Sequence, residues 1–250
     1  MSLAEGGLLV LAAAVGGALN SVAGGGSFFS FPALLMTGVG PIAANATSTV
    51  ALWPGSLGAV VGYRRELSGG RRALVWLGLP SLAGGAVGAA LLVRTPPEQF
   101  LKLLPVLLLA ATVLFTWGDR WTRAREGGAK RLWLAAALQV PIAVYGGYFG
   151  GGMGLMMLAA LALAGGWTIH EMNALKSTLA ALLNAVAIAT FLAAGVVDWP
   201  RAAVMVVGAV AGGYGGASLA RRVAPRRVRA LVVVVGWALT GFFAWRQWLG

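Results

Sequence analysis

Lys176 sits in the run Asn173-Ala174-Leu175-Lys176-Ser177, with Glu171 the nearest charge before it and Asp198 the nearest after it. The same run occurs earlier as Asn45-Ala46-Thr47-Ser48-Thr49, at an offset of 128, with Ser48 where the later copy has the lysine. A lone cation in an apolar segment marks a functional position by default, because such a residue is costly to insert and rare. Its chemistry would be the attraction of an anion. The other reading is a side chain that snorkels to an interface from near a helix end. Asn45 and Asn173 open their runs, where Asn can cap a helix or offer its amide to a ligand.

Two glycine triplets supply a second kind of chemistry. Gly24, Gly25 and Gly26 match Gly150, Gly151 and Gly152 at an offset of 126, each inside an otherwise apolar stretch. Each Gly costs about 1 kcal/mol relative to Ala in a helix interior, so the triplets read as breaks. Unwound backbone at membrane depth survives only where protein or a water-filled cavity satisfies it. Apolar sequence resumes at Ser27 and Met153. Half-helices starting there would present free N–H groups and a positive dipole end, an anion site made without a buried charge. Asn20 and Ser21 precede the first triplet and Ser27 follows it, placed to add further donors. The alternative is close helix packing through small residues. The candidate binding set is Asn20, Ser21, Gly24, Gly25, Gly26, Ser27, Asn45, Ser48, Gly150, Gly151, Gly152, Met153, Asn173, Lys176 and Ser177.

The elements that must position these residues follow from composition. The chain is 59% hydrophobic and 10% charged, against about 45–50% and 25% in soluble domains. No charge occurs between Gly6 and Tyr63, or between Leu132 and Ile169. Such runs exceed the roughly 20 residues that cross a bilayer, so the chain is a polytopic membrane protein. The net charge of +12 does not point to nucleic acid, because the basic residues cluster in loops: Arg64, Arg65, Arg71 and Arg72; then Arg120, Arg123, Arg125, Lys130 and Arg131; then Arg221, Arg222, Arg226, Arg227 and Arg229. These are positive-inside loops that can touch anionic lipid. The N-terminus lacks the basic region of a secretory signal, so the first apolar run is expected to stay in the mature protein. A small polytopic chain of this kind points to a bacterial or archaeal inner (plasma) membrane.

Apolar segments fall near 6–23, 27–37, 45–62, 73–93, 101–117, 132–149, 153–165, 172–195, 202–219 and 230–247, each too long or too uniform for a barrel strand. If 132–165 crossed once, the second and third basic clusters would lie on opposite sides. If it bends back at Gly150–Gly152, all three clusters share the cytoplasmic side. Five elements per half make the second half inverted relative to the first. Loop charges agree: 63–72 is basic and its counterpart near 196–201 holds only Asp198 and Arg201. The expected fold is an all-α polytopic membrane protein of two inverted repeats with Gly-broken first elements, ten helical elements or about eight full spans. It forms a single transmembrane domain over 1–250, with repeat 1 at 1–118, repeat 2 at 130–250, a basic cytoplasmic linker at 119–131 and both termini outside. The competing arrangement has eight simple spans in parallel halves and the N-terminus inside; it leaves 221–229 on the outer side. Gly84 and Gly88, matched by Gly212 and Gly216, read as close helix packing.

Other chemistries find little support. There is no Cys and a single His, His170. No paired carboxylates stand at helical spacing and no nucleotide-binding loop is present, so catalytic residues, metal and cofactors are all expected to be none. Glu171 reads as a first-turn or capping residue and Asp198 as interfacial; either is an option for a coupling proton.

With these residues laid out, the chain resembles the TauE/SafE family of membrane anion permeases, described as sulfite exporters. The resemblance rests on Asn20 to Phe28 with Pro32, on Asn45-Ala46-Thr47-Ser48, on Gly150 to Gly154 and on Asn173 to Ser177. It implies a secondary transporter that exports a small sulfur-containing anion, sulfite or an organosulfonate such as sulfoacetate, by alternating access at a site between the breaks. The expected partners are that small anion and the lipid bilayer. An anion channel and a structural subunit of a membrane complex are the alternatives. Monomer and homodimer both stay open. Tyr148-Phe149 stands where the first repeat has Val22-Ala23, so the two halves need not contribute equally.

Overall fold

The computed structural model describes residues 1–22, 25–67, 71–121, 129–219 and 225–249. These form ten α-helices: α1 (Leu3–Val22), α2 (Ser27–Met36), α3 (Pro41–Gly62), α4 (Arg71–Arg94), α5 (Pro97–Trp121), α6 (Leu132–Tyr148), α7 (Met153–Ala164), α8 (Ile169–Ala193), α9 (Trp199–Leu219) and α10 (Pro225–Ala244), the last followed by a π-turn at Trp245–Leu249. Five of them, α1, α4, α5, α8 and α10, are long and apolar enough to cross a membrane. Proline opens α3, α5 and α10, where its missing N–H costs nothing and its φ is already helical. Thr168 and Glu171 open α8 as a reciprocal capping box, which satisfies two otherwise unpaired donors.

Helices pack in pairs that map onto each other when each is replaced by the one five places along. The most extensive contacts are α1 with α9 and α6 with α4, followed by α3 with α9 and α8 with α4. The pairs α5–α10 and α3–α8 map onto themselves. A two-fold relation between the halves requires this exchange. Glycine allows the two main pairs to approach at backbone distance. A Cβ on Gly212 would strike the Ala14 backbone, and one on Gly88 would strike Val144 and Tyr148. With no lipid-excluding hydrophobic effect between membrane helices, this close contact is the main source of cohesion.

Loop contacts show that the halves are inverted. Arg201 Nη2 donates to the Thr37 carbonyl at 3.0 Å and the Asp198 N–H donates to Thr47 Oγ1 at 2.9 Å. The α2–α3 and α8–α9 turns therefore share one end of the bundle, the far face, and Pro97 of the α4–α5 turn lines the same surface depression. At the other end, Lys130 pairs with Glu171 at 2.8 Å and the Arg131 N–H donates to the Ala164 carbonyl at 3.3 Å. Leu67 joins Trp167 in the apolar cluster there. This end gathers the α3–α4, α5–α6 and α7–α8 connections and carries Arg64, Arg65, Arg72, Lys130 and Arg131; it is the basic face. Equivalent turns thus occupy opposite ends. Of the remaining clustered arginines, Arg123, Arg125, Arg221 and Arg222 lie outside the described residues, and the same holds for the side chains of Arg71, Arg120, Arg226, Arg227 and Arg229.

The 132–165 segment is a hairpin. Its ends meet through Arg131 and Ala164, and α6 packs on α7. Several helices start three to five residues before the sequence expectation, and two of these shifts bear on the site. The third and eighth helices begin at Pro41 and Ile169 rather than near 45 and 172. Asn45 and Asn173 are consequently one turn inside their helices, and capping falls to Gly40 and Thr168.

Candidate functional site

The 10-residue α2 and the 12-residue α7 rise only about 15 and 18 Å. One starts at the first glycine break and ends at the far face; the other starts at the second break and ends at the basic face. Each break is therefore about halfway through a hydrocarbon core of roughly 30 Å. Gly25, at φ +103°, and Gly150 and Gly152, both at φ +79°, make these reversals with backbone that a side chain would strain.

The two breaks converge on one cavity with about 60 Å³ of free volume, room for roughly two water molecules at their liquid volume. Gly25 and Asn20 line it from the first break, Gly150, Met153 and Gly154 from the second, Ser56 and Ala59 from α3, and Lys176, Ser177, Ala180 and Asn184 from α8. Residues 176, 180 and 184 are spaced i, i+4, i+8 and so share one helix face. Lys176 is 6% exposed and is the only charged side chain in the buried set among the described residues. No ion pair reaches it there: the two present are Lys130–Glu171 and Arg201–Asp198. Gly154 lies against its aliphatic stem, where a Cβ would stand 3.5 Å from Cδ.

Asn20 Oδ1 accepts from the Gly26 N–H at 2.8 Å. It therefore ties the first break, at the residue just before α2, back to α1 from six residues upstream. Asn20→Ala is expected to lower stability by about 1 kcal/mol, the usual net worth of one intramolecular hydrogen bond. Thermal unfolding reads this directly, and an unchanged midpoint would show that the amide finds another acceptor. At the second break, Tyr145 Oη donates to the Gly151 carbonyl at 2.7 Å, and no protein acceptor takes the Gly154 N–H among the described residues.

Several expected ligands stand elsewhere. Asn45 is 2% exposed and its amide donates to the Tyr148 carbonyl at 3.0 Å. Ser48 is held to Ser30 by a 2.6 Å hydroxyl–hydroxyl bond. Asn173 is half-buried and its amide donates back to the Ile169 carbonyl. Ser27, Gly26, Gly151 and Gly152 belong to the breaks but do not line the cavity. Gly24 lies outside the described residues, as does the side chain of Ser21. Conversely, Ser56, Asn184 and Gly154 line the cavity without having been in the candidate set. Ser56 and Asn184 are repeat counterparts at the offset of 128, and the helical period from Lys176 points to Asn184.

The cavity lies toward the basic face. Of its lining residues, Ser56 and Ala59 belong to the last two turns of α3, which runs to the basic face. On the far side Phe31, Phe100, Tyr148 and Phe149 interlock, with neighbouring ring centroids 5.8–6.5 Å apart. Such tilted and edge-on contacts pack an apolar barrier without voids. The polar lining therefore lies on the basic-face side of these rings.

Ten helices in interlocked inverted halves, with two broken elements meeting at a polar pocket in mid-membrane, define a polytopic membrane transporter. The chain belongs to the sulfite exporter TauE/SafE family, whose model matches residues 9–243. It is 28% identical over 232 residues to a probable membrane transporter protein of Haemophilus influenzae, covering 92% of this chain and 90% of that one. A probable membrane transporter protein, ORF9, of a Sinorhizobium species is 27% identical, covering 92% and 89%. The probable membrane transporter protein YfcA of Escherichia coli K12 is 26% identical over 238 residues, covering 92% and 86%. No solved structure matches the chain.

Proposed function

We propose that this transporter exports a small sulfur oxyanion, sulfite or a compact organosulfonate, by alternating access across the bacterial inner membrane, with the basic face in the cytoplasm. The observation that carries the reading is Lys176, a buried cation with no acidic partner among the described residues, in the cavity where both glycine breaks meet. An anion there would gain a charge-assisted hydrogen bond from the lysine and neutral donors from Ser177, Asn184 and the Gly154 N–H. The positive-inside bias assigns the basic face to the cytoplasm. The aromatic barrier favours a carrier over an open channel, since it sets packed apolar rings between the cavity and the far face.

Thermal unfolding of the purified protein tests this. Ligand binding to the folded state raises stability by RT ln(1 + [L]/Kd), about 2.7 kcal/mol at a hundredfold excess over Kd. A saturable rise is expected with sulfite or a sulfonate. Gly154→Val should abolish it while leaving a folded protein, because the added methyls enter the cavity beside Lys176 and the backbone there needs no positive φ. The absence of any shift with sulfite, sulfoacetate or sulfate would remove the anion site.

A further inference from the structure

The charge on Lys176 has an energetic consequence that depends on which barrier is closed. The membrane potential falls across the closed part of a carrier, not across a water-accessible vestibule. Here the cavity is lined by Ser56 and Ala59 at the basic-face end of α3, and the aromatic cluster of Phe31, Phe100, Tyr148 and Phe149 packs on the far side. Lys176 therefore sits at the potential of the basic side. When the repeats exchange roles, the barrier moves to the other side of the lysine and the residue comes to the potential of the far side. Lys176 need hardly move for its charge to cross most of the field.

Among the described residues, no other charge at this depth offsets it. Of the seven acidic residues, Glu5, Glu98, Glu171 and Asp198 lie in terminal turns or connections of the helices, and Glu66 lies in the α3–α4 connection. The remaining two, Asp119 and Glu126, belong to the 119–131 linker region. Lys102 and Arg94, the other cations nearest the membrane, are near the far-face ends of α5 and α4.

We propose that the membrane potential acts on this transporter through Lys176, returning the unloaded carrier to the form open on the basic face and so making transport outward. This rests on the reading of Lys176 as the partner of a singly charged oxyanion. Loaded with that anion, the carrier moves as a neutral pair and feels little of the potential. Unloaded, it moves one positive charge. An inside-negative potential pulls that charge back to the cytoplasmic side and opposes its stay on the outside. A full elementary charge is worth about 2.3 kcal/mol per 100 mV, or about a fiftyfold change in the ratio of the two unloaded forms. The asymmetry between the halves fits the role: Ser48 at the equivalent position in the first repeat has no charge to respond.

The sequence contains no Cys, so Ala59→Cys places a single thiol at the cavity. In proteoliposomes free of anion substrate, the potential is set with a potassium gradient and valinomycin. Labelling by an impermeant maleimide, from the side that the basic loops face, should fall at least tenfold when the potential is reversed from negative to positive on that side. Lys176→Gln in the same background should label at one rate at every potential, and Lys176→Arg should keep the dependence. Labelling that ignores the potential in the Lys176 protein, or follows it in the Gln variant, would overturn the proposal. Counterflow of radiolabelled sulfite at zero potential separates the two readings. Potential-dependent labelling without sulfite counterflow would uphold the charge device and remove sulfite as the substrate.

Discussion

Replacing Lys176 by Met is expected to raise the melting temperature of the anion-free protein and to weaken anion binding and flux by about ten- to a hundredfold. Both effects have one cause. A buried cation with no acidic partner among the described residues keeps its desolvation penalty, and Met fills nearly the same volume with no charge to desolvate. The same substitution removes the donor that an anion would meet, and a hydrogen bond to a charged group contributes about 1.5–3 kcal/mol. Thermal unfolding and reconstituted flux, measured on the same preparation, separate the outcomes. A variant that melts higher and loses flux identifies a residue kept for function at the expense of stability. Unchanged flux in a properly inserted variant would take the lysine out of the mechanism and return it to interface snorkelling.

Gly212→Val is expected to be the most disruptive single change in the membrane core, costing about 3 kcal/mol or more, the upper end for overpacking. A side chain on Gly212 meets Ala14 carbonyl, carbonyl carbon and Cα together, so no rotamer change relieves it. The α1–α9 pair must separate, and van der Waals contact between these helices is what membrane association relies on. Gly58→Ala on α3 is the control, because nothing lies within 4 Å of its added Cβ. The measurement is the fraction of detergent-extracted protein that remains monodisperse on heating. Equal melting of the two variants would mean that the bundle is not held by this contact.

Much of the architecture could be read from the sequence. The glycine breaks, the hairpin at 150–152 and the inversion of the halves follow from repeat offsets and loop charge, and charge also singles out Lys176. What escaped is instructive because the signals were present but local. Pro41 after Gly40, and Thr168 three residues before Glu171, are ordinary helix starts, yet both residues of interest at 45 and 173 look like caps themselves. Which polar residues face the cavity depended on helix rotation. Asn45 and Ser48 are as polar as Ser56, but they bond to Tyr148 and Ser30 across closed contacts. Only three-dimensional packing distinguishes a satisfied polar group from one left for a ligand. The Tyr148-Phe149 departure between the halves was visible in the sequence; that these rings form the far barrier with Phe31 and Phe100 was not, because those partners come from distant helices.

The pairing of α1 with α9 also sets a schedule for biogenesis. The glycine face of α1 finds its partner only after about 200 further residues have been made, which takes roughly 10–40 s at 5–20 residues per second. Throughout that interval a helix built for backbone contact is surrounded by lipid or by the insertion machinery. The first half cannot reach its final packing as it emerges, so the chain must assemble after synthesis rather than during it. Conditions that shorten the wait, by supplying the second half as a separate chain, or that protect the chain during it, by slowing degradation, should govern yield more than changes in the stability of the finished bundle.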